Sequence, residues 1–276
     1  MPAPSSLAAV LDVAEQSGKL NLCTDEITAA LPGVGHEALR QALSRQQQRG
    51  RIIRLPRGAG HWLIVPLQYA LVGAPPLETW LDRYLGKTLR SPYYVALLSA
   101  AETYGASPYA VMVTQVIVPK PRRPITVGRH EVVFLTRAGI DRMPTRWHET
   151  PEGRFKVSTP DLTVLELVQR ASVVGGMSRV RDVLQGLWGA CTIPGLSEAL
   201  DALQEVPTAQ RLGILLALDG RDDVAARVAR WLEPKQPRTV ALEESNSAAT
   251  APWLDPTFKV RIPADFQRSN TFSSPT

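Results

Sequence analysis

The first sixty residues alternate apolar and polar positions at two different periods. Leu7, Val10, Leu11 and Ala14 recur on one face of a helix. Thr24 stands where an N-cap is expected, ahead of Ile27, Ala30 and Leu31, which mark a second helix. Pro32-Gly33-Val34-Gly35 breaks it. A third helix is expected over about residues 36–49, with Leu39, Ala42 and Leu43 inward. Gln41, Ser44, Arg45 and Gln48 then face outward, Arg40 lies on the flank, and Gly50 ends the helix. The period next switches to that of strands. Residues 51–55 and 62–65 read as two of them, joined by Pro56-Arg57-Gly58-Ala59-Gly60. Three helices followed by a hairpin is the order of a winged helix-turn-helix.

Residues 66–76, with Gly73 and Pro75-Pro76, read as a junction. Residues 77–89 pattern as a helix burying Trp80, Leu81, Tyr84 and Leu85, and residues 93–104 as another. Residues 110–118 are apolar and β-branched, as in a buried strand. Residues 125–129 and 130–136 suggest a hairpin, and 154–158 a further strand. Thr159-Pro160-Asp161 is a helix start, combining a cap, a first-turn Pro and an acid at the positive helix end. Leu162, Leu165 and Val168 supply its apolar positions. Three more helices are expected over 197–203, 207–218 and 221–232, then a polar linker over 233–252. Residues 258–262 are expected to return as a strand to the central sheet. The fold class is therefore α/β (α+β): an N-terminal winged helix-turn-helix over residues 5–66, then a mixed α/β domain over 77–265 with a helical C-terminal part. Residues 266–276 have the composition of a disordered tail.

With 276 residues and 44% hydrophobic content, the chain is long enough for two cores. Cys23 and Cys191 are the only cysteines and lack metal-type spacing, so neither a disulfide framework nor a zinc site is expected, and a reducing cytoplasm fits best. No basic-then-apolar leader stands at the N-terminus and no apolar run is long enough to span a bilayer, so no membrane role is expected.

The net charge of +5 matters less than where it sits. Between Glu37 and Glu78 there is no acidic side chain, whereas Arg40, Arg45, Arg49, Arg51, Arg54 and Arg57 all fall there. Phosphate contacts supply the sequence-independent part of DNA affinity, and cations provide them. Gln41, Ser44, Arg45 and Gln48 suit base edges in a major groove, with Arg40 and Arg51 beside them. Arg54 and Arg57, near the hairpin tip, suit phosphate or the minor groove. The competing reading is a protein-contact module whose arginines form a solvated face. Lys120, Arg122 and Arg123 alternate with Pro119, Pro121 and Pro124, which hold the segment extended and project the charges. They read as a further DNA or partner contact, or simply as a soluble connection.

Catalysis finds no candidate. Asp161 and Glu166 invite comparison with a nuclease metal site, but Glu166-Leu167-Val168 continues a helical pattern and offers no Lys. His36, His61, His130 and His148 are scattered, without paired ligands. Ser158 and Thr159 have no base beside them and read as caps. There is no phosphate-binding glycine loop. Neither a cofactor nor a metal is expected.

The segment Ser91-Pro92-Tyr93-Tyr94-Val95-Ala96-Leu97-Leu98-Ser99-Ala100-Ala101-Glu102 resembles the opening of AbiEi-type antitoxins of type IV, abortive-infection toxin–antitoxin systems. The likeness continues through residues 113–118, the basic Pro-rich run, the hairpin around Gly128 and Val157-Ser158-Thr159-Pro160-Asp161-Leu162-Thr163-Val164-Leu165-Glu166-Leu167, and covers roughly residues 7–187. An N-terminal winged helix is also that family's arrangement. The resemblance implies a bacterial antitoxin that binds double-stranded DNA at its own promoter and represses its operon. It also implies that the C-terminal domain counteracts an AbiEii-type nucleotidyltransferase toxin, with or without a stable complex. The alternatives are a stand-alone winged-helix regulator with a ligand-sensing or oligomerisation domain, and a nucleic-acid enzyme using the second domain.

Overall fold

The computed structural model describes residues 5–56, 60–108, 111–243, 253–264 and 266. The expectations for Arg57, for residues 244–252 of the polar linker and for the tail beyond residue 266 lie outside this set. Among the described residues the protein is mixed α/β, with three separate sheets.

The Ser6 side chain caps α1 (Leu7–Gln16), accepting from the Ala9 N–H at 3.3 Å, and Leu7, Val10, Leu11 and Ala14 form its buried face. A three-residue strand, β1 (Asn21–Cys23), leads directly into α2 (Thr24–Ala30). Thr24 is therefore not the cap but the first helical residue. Cys23 caps instead: its sulfur accepts from the Glu26 N–H at 3.4 Å, while Glu26 accepts from the Cys23 N–H at 2.8 Å. Strand pairing is the reason, because it holds residues 21–23 extended and moves the helix boundary. Next come α3 (His36–Gln48), β2 (Ile52–Arg54) and β3 (His61–Ile64). The three strands form an antiparallel sheet in the order β1-β3-β2. Leu11, Ile27, Leu39, Leu43, Ile52 and Ile64 meet in the core beneath it.

Residues 66–76 are pinned rather than loose. The Arg129 N–H donates to Val72 O at 3.1 Å, and Gly128 (φ +59°) passes so close that an added Cβ would meet Gly73 at 2.6 Å. The helix expected over 77–89 is instead a 3-10 turn (Leu77–Thr79) and a π-helical segment (Arg83–Thr88). Its burial pattern survives, since Trp80, Leu81, Tyr84 and Leu85 are all fully buried. Tyr84 stacks edge-on against Trp80 and donates its hydroxyl to Pro56 O at 2.6 Å.

The helix expected over 93–104 is shorter, because its first turn is taken by the sheet. β4 (Tyr94–Val95) pairs antiparallel with one neighbour and parallel with another. Leu97 adopts φ +54° and opens α4 (Leu97–Thr103). After it come β5 (Val113–Val118), β6 (Ile125–Val127), β7 (His130–Thr136), β8 (Thr145–Thr150) and β9 (Gly153–Ser158). The six-stranded sheet runs β6-β7-β5-β4-β9-β8, with β6 and β7 forming the expected hairpin.

The remainder is largely helical: α5 (Pro160–Gln169), α6 (Ala171–Val174), α7 (Met177–Leu187), α8 (Ile193–Leu203), α9 (Val206–Leu218) and α10 (Asp222–Leu232). α5 is buried from Pro160 to Val168 and packs against α4, α7, α8 and α9, so it is the central rod of this half. Two short strands, β10 (Val240–Ala241) and β11 (Trp253–Asp255), flank β12 (Val260–Ile262). The strand expected to rejoin the central sheet thus belongs to a separate small one. The tie is to α9: Gln210 Nε2 donates to Phe258 O at 2.6 Å and to Arg238 O at 2.8 Å.

By packing, the chain divides into two compact units. One comprises Met1–Val95, Met112–Asp141 and Trp147–Val157; the other comprises Ala96–Val111, Arg142–Arg146 and Ser158–Thr276. No helix among the described residues is long and apolar enough to cross a membrane.

Gly213 of α9 faces the Phe258 ring so closely that a Cβ would sit 2.1 Å from it. Gly213→Ala is expected to cost about 1–3 kcal/mol in denaturant unfolding, by overpacking. Gly189→Ala, where nothing lies within 4 Å, should stay within about 0.5 kcal/mol.

Candidate nucleic-acid interface

α3 buries Leu39 and Leu43 and leaves Arg40, Gln41, Ser44, Arg45 and Gln48 exposed. Those five side chains line a single shallow depression of about 290 Å³. A second groove, of about 400 Å³, runs between α3 and the small sheet, and it includes His36, Arg40, Ser44, Gln47 and Arg54. The structure thus brings six of the residues expected to bind DNA around adjoining surfaces: Arg40, Gln41, Ser44, Arg45, Gln48 and Arg54. Arg51 is elsewhere. Its guanidinium is held by Asp12, with Glu15 at 3.5 Å, and it lines a different cavity against α1. Lys120, Arg122 and Arg123 lie in the β5–β6 connection, and none of them lines either α3 surface.

Two things that the sequence reading overlooked shape this face. Glu37, one turn before Gln41, accepts from Arg40 Nε at 2.9 Å, from Arg40 Nη2 at 2.7 Å and from Gln41 Nε2 at 3.3 Å. The spacing of three and four residues was the available signal. Arg45, Arg49 and Arg54, by contrast, have no carboxylate within ion-pair distance among the described residues.

The second is the anchoring of the hairpin base. Thr24 Oγ1 donates to Gly60 O at 2.9 Å and accepts from Trp62 Nε1 at 3.2 Å, while Tyr84 holds Pro56 O. Below it, Glu26 takes Arg83 Nη2 at 2.8 Å and Lys19 Nζ at 2.9 Å. Burial disfavours the Glu26 carboxylate, but the Cys23 N–H, Lys19 and Arg83 outweigh it and hold the pKa at about 2. Burial, reinforced by the Arg83 charge, pushes His61 below the ordinary imidazole range.

Farther along the chain, the residues most characteristic of the antitoxin resemblance turn inward. Thr159 caps α5, its hydroxyl accepting from the Leu162 N–H at 3.3 Å. Ser158 and Thr163 share a hydroxyl hydrogen bond at 2.7 Å, and Tyr104 donates to Ser158 O. Asp161 accepts from the Thr192 N–H at 2.9 Å, which fixes the start of α8. Burial raises its pKa despite that bond. Among the described residues no group of three or more His, Cys, Asp or Glu side chains is placed to hold a metal.

A family model described as the AbiEi antitoxin C-terminal domain matches residues 94–218. This segment is an AbiEi-type antitoxin domain. It begins at β4 and ends with α9, and an antitoxin of this family has a toxin as its partner. No curated protein matches the sequence. Among solved structures, the crystal structure of the RV2827C protein from Mycobacterium tuberculosis is similar to 95% of this chain and covers 94% of its own, at 16% identity and a TM-score of 0.66. That likeness concerns the fold. It extends through the residues ahead of the AbiEi domain as well as those behind it.

The Glu26 pKa lies below its ordinary value of 4.5 in the folded protein, so its contribution is complete above that value and fades as pH falls toward 2. Glu26→Gln should lower stability at pH 7 by about 1 kcal/mol, the size of a lost cap. It should also flatten the acid limb, so that the two proteins converge in denaturant midpoint between pH 4.5 and pH 2.

Proposed function

We propose that this protein is a DNA-binding antitoxin whose winged helix-turn-helix, over residues 5–66, represses its own operon. Its second domain, over residues 77–265, counteracts a toxin. The observation that carries the reading is the exposed face of α3. Arg40, Gln41, Ser44, Arg45 and Gln48 surround one depression on a helix whose other side is packed into the core, and this face precedes an AbiEi domain in the same chain. A helix lying in a major groove reads bases with such side chains, while a cation such as Arg54, unpaired among the described residues, engages phosphate. Arg57, three residues after Arg54 in the sequence, is assigned the same role. Lys120, Arg122 and Arg123 supply a further contact to DNA or to an acidic partner. Arg51 contributes through its hold on α1 more than through DNA, since its guanidinium is already paired.

On the antitoxin side, the resemblance points to an AbiEii-type nucleotidyltransferase as the toxin. The reading assigns no catalytic role to the chain. Two free cysteines, Cys23 and Cys191, fit a reducing cytoplasm.

The test is binding of the full-length protein to duplex from upstream of its own gene, against a scrambled duplex, at two salt concentrations. Selective binding that weakens with salt is the expected result; equal or absent binding overturns the DNA role. Arg45→Ala and Gln48→Ala should each lower the preference for the upstream duplex about tenfold. Arg54→Ala should weaken both duplexes alike and reduce the salt slope by about one.

The two roles separate in cells. A chain carrying Arg45→Ala, Gln48→Ala and Arg54→Ala together should lose repression of a promoter reporter yet still protect cells expressing the toxin. Loss of both activities, in a variant that melts like the parent, would show that protection works through the promoter alone.

A further inference from the structure

Glu37 is the one carboxylate on α3, and it sits on the face that carries the proposed base contacts. An acid in a first helical turn is favoured by the helix dipole. That explains its presence but not where its oxygens point. Both accept from Arg40, whose guanidinium in turn holds the Glu37 carboxyl below the ordinary range. The pair is widely exposed, so it adds little to stability. A carboxylate on a DNA-facing surface also repels phosphate and lowers affinity for every duplex. Its contribution on this face must therefore be geometric.

A guanidinium carries five N–H donors in one plane. Glu37 engages Nε and Nη2, one donor from each. That leaves one N–H on Nη2 and two on Nη1, and the adjacent pair at the end of the group forms a fork of two parallel donors. In the major groove guanine presents two neighbouring acceptors, O6 and N7. Adenine presents an acceptor beside a donor, so a fixed pair of donors does not match it. We propose that Glu37 is a positioning residue that holds Arg40 as a two-donor fork for one guanine of the recognised DNA. This rests on the DNA-binding reading above, and it adds the base that reading leaves open.

The experiment is a double-mutant cycle in full-length protein: Glu37→Gln, Arg40→Ala and both together. Each is titrated against the upstream and scrambled duplexes, and each is checked by thermal melting. Glu37→Gln should raise affinity for the scrambled duplex and lower the upstream-to-scrambled ratio about fivefold or more. In the Arg40→Ala background it should leave that ratio unchanged. Replacing each guanine of the upstream duplex in turn by 7-deazaguanine, which lacks N7, should reveal one position that penalises the parent protein but not Arg40→Ala. The role of Glu37 is overturned if Glu37→Gln shifts only the melting temperature, or lowers the ratio equally with and without Arg40. A parent protein with no preference for the upstream duplex would instead remove the DNA-binding reading, and this proposal with it. A parent that prefers its own DNA without Glu37–Arg40 coupling removes only the proposal.

Discussion

The six-stranded sheet depends on two residues. Tyr94 and Val95 form one of its inner strands, antiparallel to β5 on one side and parallel to β9 on the other. A strand with neighbours on both edges has its backbone groups satisfied by the sheet, and leaving them unmade inside a core is costly. That demand outweighs the helical pattern of the surrounding residues and displaces the helix start to Leu97, in a left-handed conformation that a leucine rarely adopts. The sheet is further secured by Tyr93, whose hydroxyl reaches Asp82 at 3.0 Å and accepts from the Lys156 N–H at 3.3 Å.

The N-terminal region shows how pairing redistributes charge. Along the sequence, the arginines of residues 40–57 form one acid-free block. In space, Arg51 is neutralised by α1 and Arg40 is tied to Glu37, while Arg45, Arg49 and Arg54 stay unpaired among the described residues. A uniform basic stripe in sequence thus becomes two groups in space, with Arg40, Arg45 and Arg54 lining the α3 surfaces and Arg49 and Arg51 lining the cavity against α1. Thr24, Trp62 and Tyr84 fix the base of the hairpin beside that face through three side-chain hydrogen bonds.

In the AbiEi domain, the polar residues that look most like a motif serve the architecture. Ser158, Asp161, Thr163 and Glu166 are all buried, and the first three form a hydroxyl pair and the tether to α8. Buried polar groups that find partners specify one arrangement of helices, because every misfit leaves one of them unsatisfied. The recognisable part of this domain is therefore its scaffold.

Local patterning alone determined α1, α3, the β6–β7 hairpin and the capped start of α5, because in each the apolar period, the turn or the cap is complete within one local segment. It also determined which side chains of α3 face outward, since helical geometry settles that without reference to the rest of the chain. Only the tertiary structure decided that Cys23 rather than Thr24 caps α2, that residues 94–95 join a sheet, and that β12 sits with β10 and β11 beside α9. It also decided that Arg51 is paired while Arg45, among the described residues, has no carboxylate partner. Each of these turns on a partner far away in sequence: β3, β5, β9, α9 or α1. A hydrogen bond or an ion pair between distant segments leaves no period behind it, so nothing in the local pattern could have announced it.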